Sequence, residues 1–184
     1  MDLDKAIKER HSVKEFSTKK PNWRDIIECI DVARFSPAAG KNFVMKFIVI
    51  NDKDKIEKIS EAAQQSFINK AQYIVVACSN PSRLANAFGE RGEIYSKQQA
   101  GAAIQNFLLK ITEKKLSTCW VGHFEESQIK KIVGATGETT IEAIFPIGYE
   151  IKKSSPSKKI ELDRILYFEK YGKSKMKKTE KLDV

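Results

Sequence analysis

The chain is short of the residues that build covalent or metal frameworks. Among 184 residues there are three cysteines and two histidines. Cys29, Cys78 and Cys119 stand far apart in apolar segments with no two-residue spacing, which argues against both a disulfide frame and a zinc site. With His11 and His123 alone to draw on, a metal centre would have to be built from carboxylates, and no spacing of acids proposes one. No stretch approaches the roughly 20 apolar residues of a membrane span, and the first residues lack the apolar core of a secretory signal. A cytoplasmic protein is expected. The nine glycines form no Gly-x-Gly-x-x-Gly after a strand, no phosphate loop ending in Gly-Lys-Ser/Thr and no Gly-x-Ser-x-Gly elbow. A dinucleotide would therefore visit as a substrate rather than sit as a permanent cofactor.

What is present is a core and an excess of positive charge. At 41% hydrophobic residues the chain can bury a sizeable interior, and its length makes one domain the default. Lysine and arginine number 33 against 24 acids, a net of +9, so an anionic partner such as a phosphate-bearing cofactor is favoured. Part of the excess is local. Residues 173–184 carry five lysines and almost nothing apolar, which predicts a disordered tail after a domain spanning 1–172. The basic and aromatic interleaving of a base-stacking surface is missing, which counts against nucleic acid as the partner.

Periodicity orders the rest. Asp2 caps a short helix through Leu3, Ala6 and Ile7, Asn22 caps a second through Trp23, Ile26, Ile27 and Ile30, and Asp52 caps a third. Phe47–Ile50 and Tyr73–Cys78 read as strands covered on both faces. Residues 79–94 show no clear period and read as a functional or mobile excursion. Ala100, Ala103, Ile104, Phe107, Leu108 and Ile111 predict the longest helix; Ser117–Val121 a third strand; Glu125–Val133 a helix; Ile141–Ile147 a fourth strand. Helices alternating with strands predict an α/β or α+β domain around a mixed sheet. Beyond a polar linker at 152–159, Ile160, Leu162, Ile165, Leu166, Tyr167 and Phe168 restore an apolar pattern with little of the domain left to cover, so this arm is expected to dock on a second subunit.

Where the first helix ends, Arg10-His11-Ser12-Val13-Lys14 gathers cations around a hydroxyl. From the residues alone this is either an anion site or a solvated basic turn. Pro37-Ala38-Ala39-Gly40-Lys41-Asn42 is a loop of small residues that lets a ligand approach backbone closely.

On these residues the chain resembles the nitroreductase-like flavoproteins. Arg10-x-Ser12-x-Lys14 looks like their N-terminal signature, Gln98–Asn106 like their central helix, and Thr118-Cys119-Trp120-Val121-Gly122 like the strand end under the flavin. The resemblance implies an α+β fold with a mixed central sheet flanked by helices, forming an intertwined homodimer with an extended C-terminal arm and FMN at its interface. Arg10 and Ser12 would hold the phosphate and ribityl end with His11 as a further cofactor contact, Lys14 would reach the pyrimidine edge, and Val121 and Gly122 would offer amides. Pro37, Ala38, Ala39 and Asn42 would approach through the loop, and Lys158 or Lys159 would close on the phosphate. In the lysine pair the residues themselves also allow a solvated linker.

One departure is visible. The family's Ser-x-x-Asn-x-Gln-Pro-Trp is replaced, with Lys41 in the Asn slot and Asn42 one place beyond. The resemblance implies an FMN-dependent NAD(P)H oxidoreductase: NADH or NADPH reduces the flavin, and a nitroaromatic, quinone or flavin acceptor reoxidises it by a ping-pong mechanism. No catalytic side chain is required, because the flavin carries the chemistry. His123, Phe124 and residues 79–94 are candidates for shaping the pocket. The altered loop keeps open an alternative, a flavin-binding protein with little turnover.

Overall fold

The computed structural model describes residues 1–152 and 156–176. In chain order its elements are α1 (Leu3–Glu9), α2 (Trp23–Asp31), β1 (Met45–Ile50), α3 (Lys53–Ala62), β2 (Tyr73–Ser79), α4 (Ser82–Phe88), α5 (Arg91–Glu113), β3 (Ser117–Thr118), α6 (Glu126–Val133) and β4 (Thr140–Gly148). The helix starts follow their caps. Carboxylate or amide oxygens of Asp2, Asn22 and Asp52 accept the N–H groups of Lys5, Arg24 and Lys55 at 2.8, 3.0 and 3.0 Å, satisfying donors that the first turn leaves free.

The sheet runs β1-β2-β4-β3, and its three ladders are antiparallel where a mixed sheet was expected. Alternation of helix and strand does not fix strand direction: after β1, α3 returns the chain to the same end of the sheet, so β2 runs back like a hairpin arm with a helix in its turn. Successive residues of β2 and β4 point to opposite faces. Tyr73, Val75, Ala77, Ala143, Phe145 and Ile147 pack under α2 and α5, while Ile74, Val76, Cys78, Ile141 and Ile144 pack under α3 and α6. Helices on both faces explain why β2 is buried at every position. β1 differs from expectation: as an edge strand it is buried only at its two ends, with Lys46 exposed.

Residues 79–94 are not a structureless excursion. They hold α4 and the start of α5, joined at Gly89 with φ +59°. A Cβ on Gly92 would stand 2.3 Å from the Leu84 carbonyl, so glycine here is what lets the two helices cross in contact.

α5 is the central beam of the fold. Gln99, Ala103, Phe107 and Ile111 follow one another at four-residue steps along its buried face, and Phe107 lies between Phe47 and Phe145 with ring centroids 6.1 and 5.3 Å away. At its C-terminal end Lys114 pairs with Asp25 and Glu28 of α2. A bulge near Glu142 turns its carboxylate to Ser79 at 2.5 Å and Lys97 at 3.0 Å, tying the helix to the sheet.

The cysteines are free and buried. Burial pushes the Cys29 thiol from 9.0 up to about 12 and Cys78 from 9.0 up to about 11. Because the folded chain keeps protons that the unfolded chain releases, this stability is full below about pH 9 and is lost as pH rises toward 12. Urea midpoints are expected to fall between pH 8 and 11, and the fall should be shallower in C29A. An equal slope in both proteins would remove Cys29 as the cause.

Beyond β4 the C-terminal segment stays exposed, with Ile160 and Leu162 above 60%. The rest of the expected lysine tail, 177–184, lies outside the described residues, as do 153–155. Among the described residues no helix is long and apolar enough to cross a membrane.

Candidate functional site

The segment after α1 is stretched between two strands. Val13 N–H donates to the Thr118 carbonyl at 2.9 Å, Ser17 N–H to that of Tyr149 at 2.7 Å, and Phe16 bridges Glu150 antiparallel. Extended backbone alternates its side chains, which buries Val13 and leaves Ser12 and Lys14 exposed together. A Cβ on Gly148 would meet Phe16 at 2.8 Å, so the segment lies directly on the end of β4. Ser12 reaches the Cys119 thiol, and Lys14 lies close enough to act on it; burial raises that thiol while these two groups pull it down. Lys14 Nζ also stands 5.3 Å from the centroid of the Phe67 ring.

Arg10, half-buried at the C-cap of α1, and His11 line a cavity of about 460 Å³ with Lys5, Lys115, Thr118 and Glu150. His11 is committed on both nitrogens, to the Glu9 carbonyl at 2.7 Å and the Glu150 carboxylate at 3.3 Å. Pro156 belongs to the same wall. Lys158 and Lys159 follow it, both exposed, with Lys158 3.8 Å from Glu161.

The third strand is broken where the sequence suggested continuity. β3 ends at Thr118, yet Val121 pairs with Ile144 in the same register, each N–H donating to the other's carbonyl at 3.0 Å. Between them Pro146 stands opposite Cys119 at a hydrogen-bonding position and has no N–H to give. The chain detaches there, and Trp120 packs edge-on to Phe145 at 5.8 Å. The Val121 amide, expected to face a ligand, is thus taken by the sheet. Gly122 is exposed just beyond it, with the Trp120 Nε1 3.9 Å from where a Cβ would stand.

Pro37, Ala38 and Ala39 stand elsewhere. They line a second cavity of about 300 Å³ with Tyr95, Gln98, Gln99 and Ala102. Asn42 follows a turn in which Gly40 and Lys41 both have positive φ, +56° and +61°. Buried Gln99 holds this loop from both sides: its Oε1 accepts the Val44 N–H at 2.7 Å and its Nε2 donates to the Asn42 carbonyl at 3.0 Å. Sequence reasoning missed this residue. The available signal was a polar side chain on the buried stripe of α5, which requires partners.

The two groups share no wall residue and lie against different ends of α5, one at 95–102 and the other at 108–112. At 1.5 Å per residue the midpoints of the two stretches are roughly 17 Å apart along the axis. One chain therefore carries both halves of the expected site without joining them.

A Streptococcus pyogenes protein named among the NAD(P)H nitroreductases is 24% identical to this chain, over 86% of it and 95% of the relative. Among solved structures, an FMN-dependent nitroreductase of Clostridium difficile superposes with a TM-score of 0.77 at 17% identity, over 90% of this chain and 98% of that one. The NADPH:FMN oxidoreductase of Vibrio harveyi complexed with NAD+ gives 0.81 at 14%, over 92% and 77%. Both likenesses establish the fold. The sequence model of the Nitroreductase family matches residues 7–82 and 61–149, a span holding the Arg10–Lys14 segment, the 37–42 loop, α5 and all four strands, and the chain belongs to that family.

Proposed function

We propose that the protein is an FMN-dependent NAD(P)H oxidoreductase acting as a homodimer, with residues 1–172 as its flavin-binding domain and the cytoplasm as its working compartment. The observation that carries this reading is the separation of the two half-sites on α5. Two copies related by a two-fold axis can join Arg10–Lys14 and Gly122 of one to Pro37–Asn42 of the other, completing two equivalent sites. The exposed apolar arm from Ile160 to Tyr171 is proposed to clasp the second copy.

The donors suit a flavin nucleotide. Arg10 can fork to a phosphate and Lys158 or Lys159 can add charge there. Ser12 supplies a directional hydroxyl, Lys14 a cation for the electron-rich pyrimidine edge, and Gly122 an exposed amide. Asn42 is already fixed through its carbonyl. Bound FMN would supply the redox chemistry, taking hydride from NADH or NADPH and returning electrons to a nitroaromatic, quinone or flavin acceptor. The chain's own part is to bind, orient and leave one face open, so both substrates would use the same place in turn.

The test is the visible spectrum after FMN addition and desalting, followed by anaerobic NADH and NADPH. The expected outcome is a retained flavin band that bleaches. A retained band that does not bleach would favour a flavin-binding protein with little turnover, and no band would overturn the assignment of Arg10, Ser12 and Lys14.

A further inference from the structure

Lys41 is the only charged residue between Ser36 and Met45. The α5 residues that share the loop's cavity are Tyr95, Gln98, Gln99 and Ala102, and Arg91 of the same helix donates from Nε to the Tyr95 hydroxyl at 3.1 Å. Lys41 is exposed and pairs with no carboxylate among the described residues. It adopts a left-handed backbone that a side chain with a Cβ takes up only when its surroundings hold it there.

Those surroundings can be named. Lys41 N–H donates to the Ala38 carbonyl at 3.2 Å and Asn42 N–H to that of Ala39 at 3.0 Å. Beneath the turn, Phe88 Cζ lies 3.1 Å from where a Cβ on Gly40 would be. Past it, Gln99 fixes Asn42 and Val44 as a neighbouring strand would, accepting from one and donating to the other. Gln99 is buried and its amide has both partners inside the loop, so the turn cannot shift without breaking a buried pair of hydrogen bonds.

We propose that Lys41 selects anionic substrates, bearing a phosphate or a carboxylate, at the flavin site, and that Gln99 is the positioning residue that holds it there. The proposal rests on the dimeric reading above, which brings this loop to the open face of a flavin held by the other copy. Arg10 and Lys14 would be engaged with the cofactor and Arg91 lies on the Tyr95 ring, leaving Lys41 as the cation that the loop itself presents on the substrate side. The anion could be the extra phosphate of NADPH or the carboxylate of an acceptor.

Purified flavin-loaded wild type, K41Q, Q99M and the double variant distinguish these cases. Two ratios of kcat/KM are read: NADPH over NADH, and para-nitrobenzoate over para-nitrobenzamide. K41Q is expected to lower at least one ratio about fivefold, the worth of one partly solvated ion pair. The ratio that moves identifies the anion's source. Added potassium chloride should lower that ratio in wild type and much less in K41Q. Q99M should lower the same ratio, and the double variant should fall no further than K41Q, because a positioning residue acts through the group it positions.

Unchanged ratios in K41Q overturn the proposal. An additive double variant, or a Q99M ratio like that of wild type, overturns the role of Gln99. A wild-type protein that retains no flavin fails the functional reading itself, a result separate from either.

Discussion

R10A is expected to bind FMN about 100-fold more weakly than wild type, the equivalent of about 3 kcal/mol for a forked, charge-assisted hold on phosphate. Arg10 is suited to this because its backbone is fixed: it caps α1, with its N–H donating to the Ala6 carbonyl at 3.1 Å, and its neighbour His11 is bonded on both nitrogens. A guanidinium held at its root loses less freedom on binding than one on a loose loop. Flavin titration by fluorescence quenching measures the change, and an unaltered affinity would remove Arg10 from the site.

The same variant tests where the two halves meet. G40V damages the other half: at φ +56° a β-branched residue is strained, and its Cβ would press on Phe88. Co-expressed with R10A, random pairing makes half the dimers hybrids, each with one intact site and one doubly damaged site. About one quarter of all sites should then hold flavin. If both halves of a site came from one chain, no mixture could restore any.

The second large effect concerns stability. F107A is expected to cost about 3–5 kcal/mol and to lower Tm by roughly 10 °C or more. Phe107 is fully buried on α5 between rings from β1 and β4, so its removal leaves a void bounded by three elements that cannot close in together. F107L, which keeps most of the volume, should lose less than half as much. Circular dichroism melts of the two variants decide this, and equal losses would mean that the cavity is not the cause.

Much of the helical framework was legible because its signals are local. Asp2, Asn22 and Asp52 each stand just before an amphipathic run, and a cap acts only across its own first turn. Strand environment is not local. Phe47–Ile50 and Tyr73–Cys78 look alike as apolar runs, yet one is an edge and the other is central, a difference made by which strands pair beside them. α4 escaped notice because its buried contribution is chiefly Leu84, and because Gly89 and Gly92 read as helix breakers when they in fact end one helix and admit close packing by the next.

The site divides in the same way. Arg10, Ser12 and Lys14 are close in sequence, and extended backbone sets the last two side by side on its exposed face. That Pro37–Asn42 lies at the other end of a 23-residue helix depends on how α5 crosses the sheet, which no short motif records. The commitment of the Val121 amide to Ile144 likewise depends on strand register.

Pro146 gives the fold an economical way of keeping a strand unzipped. Backbone that runs beside a sheet tends to pair with it. Here the omission of one donor, in a strand paired along its other edge with β2, holds Cys119 and Trp120 off the ladder while Val121 rejoins it in unbroken register. The opening is written into the covalent structure of its neighbour. It therefore does not depend on how the surrounding side chains pack.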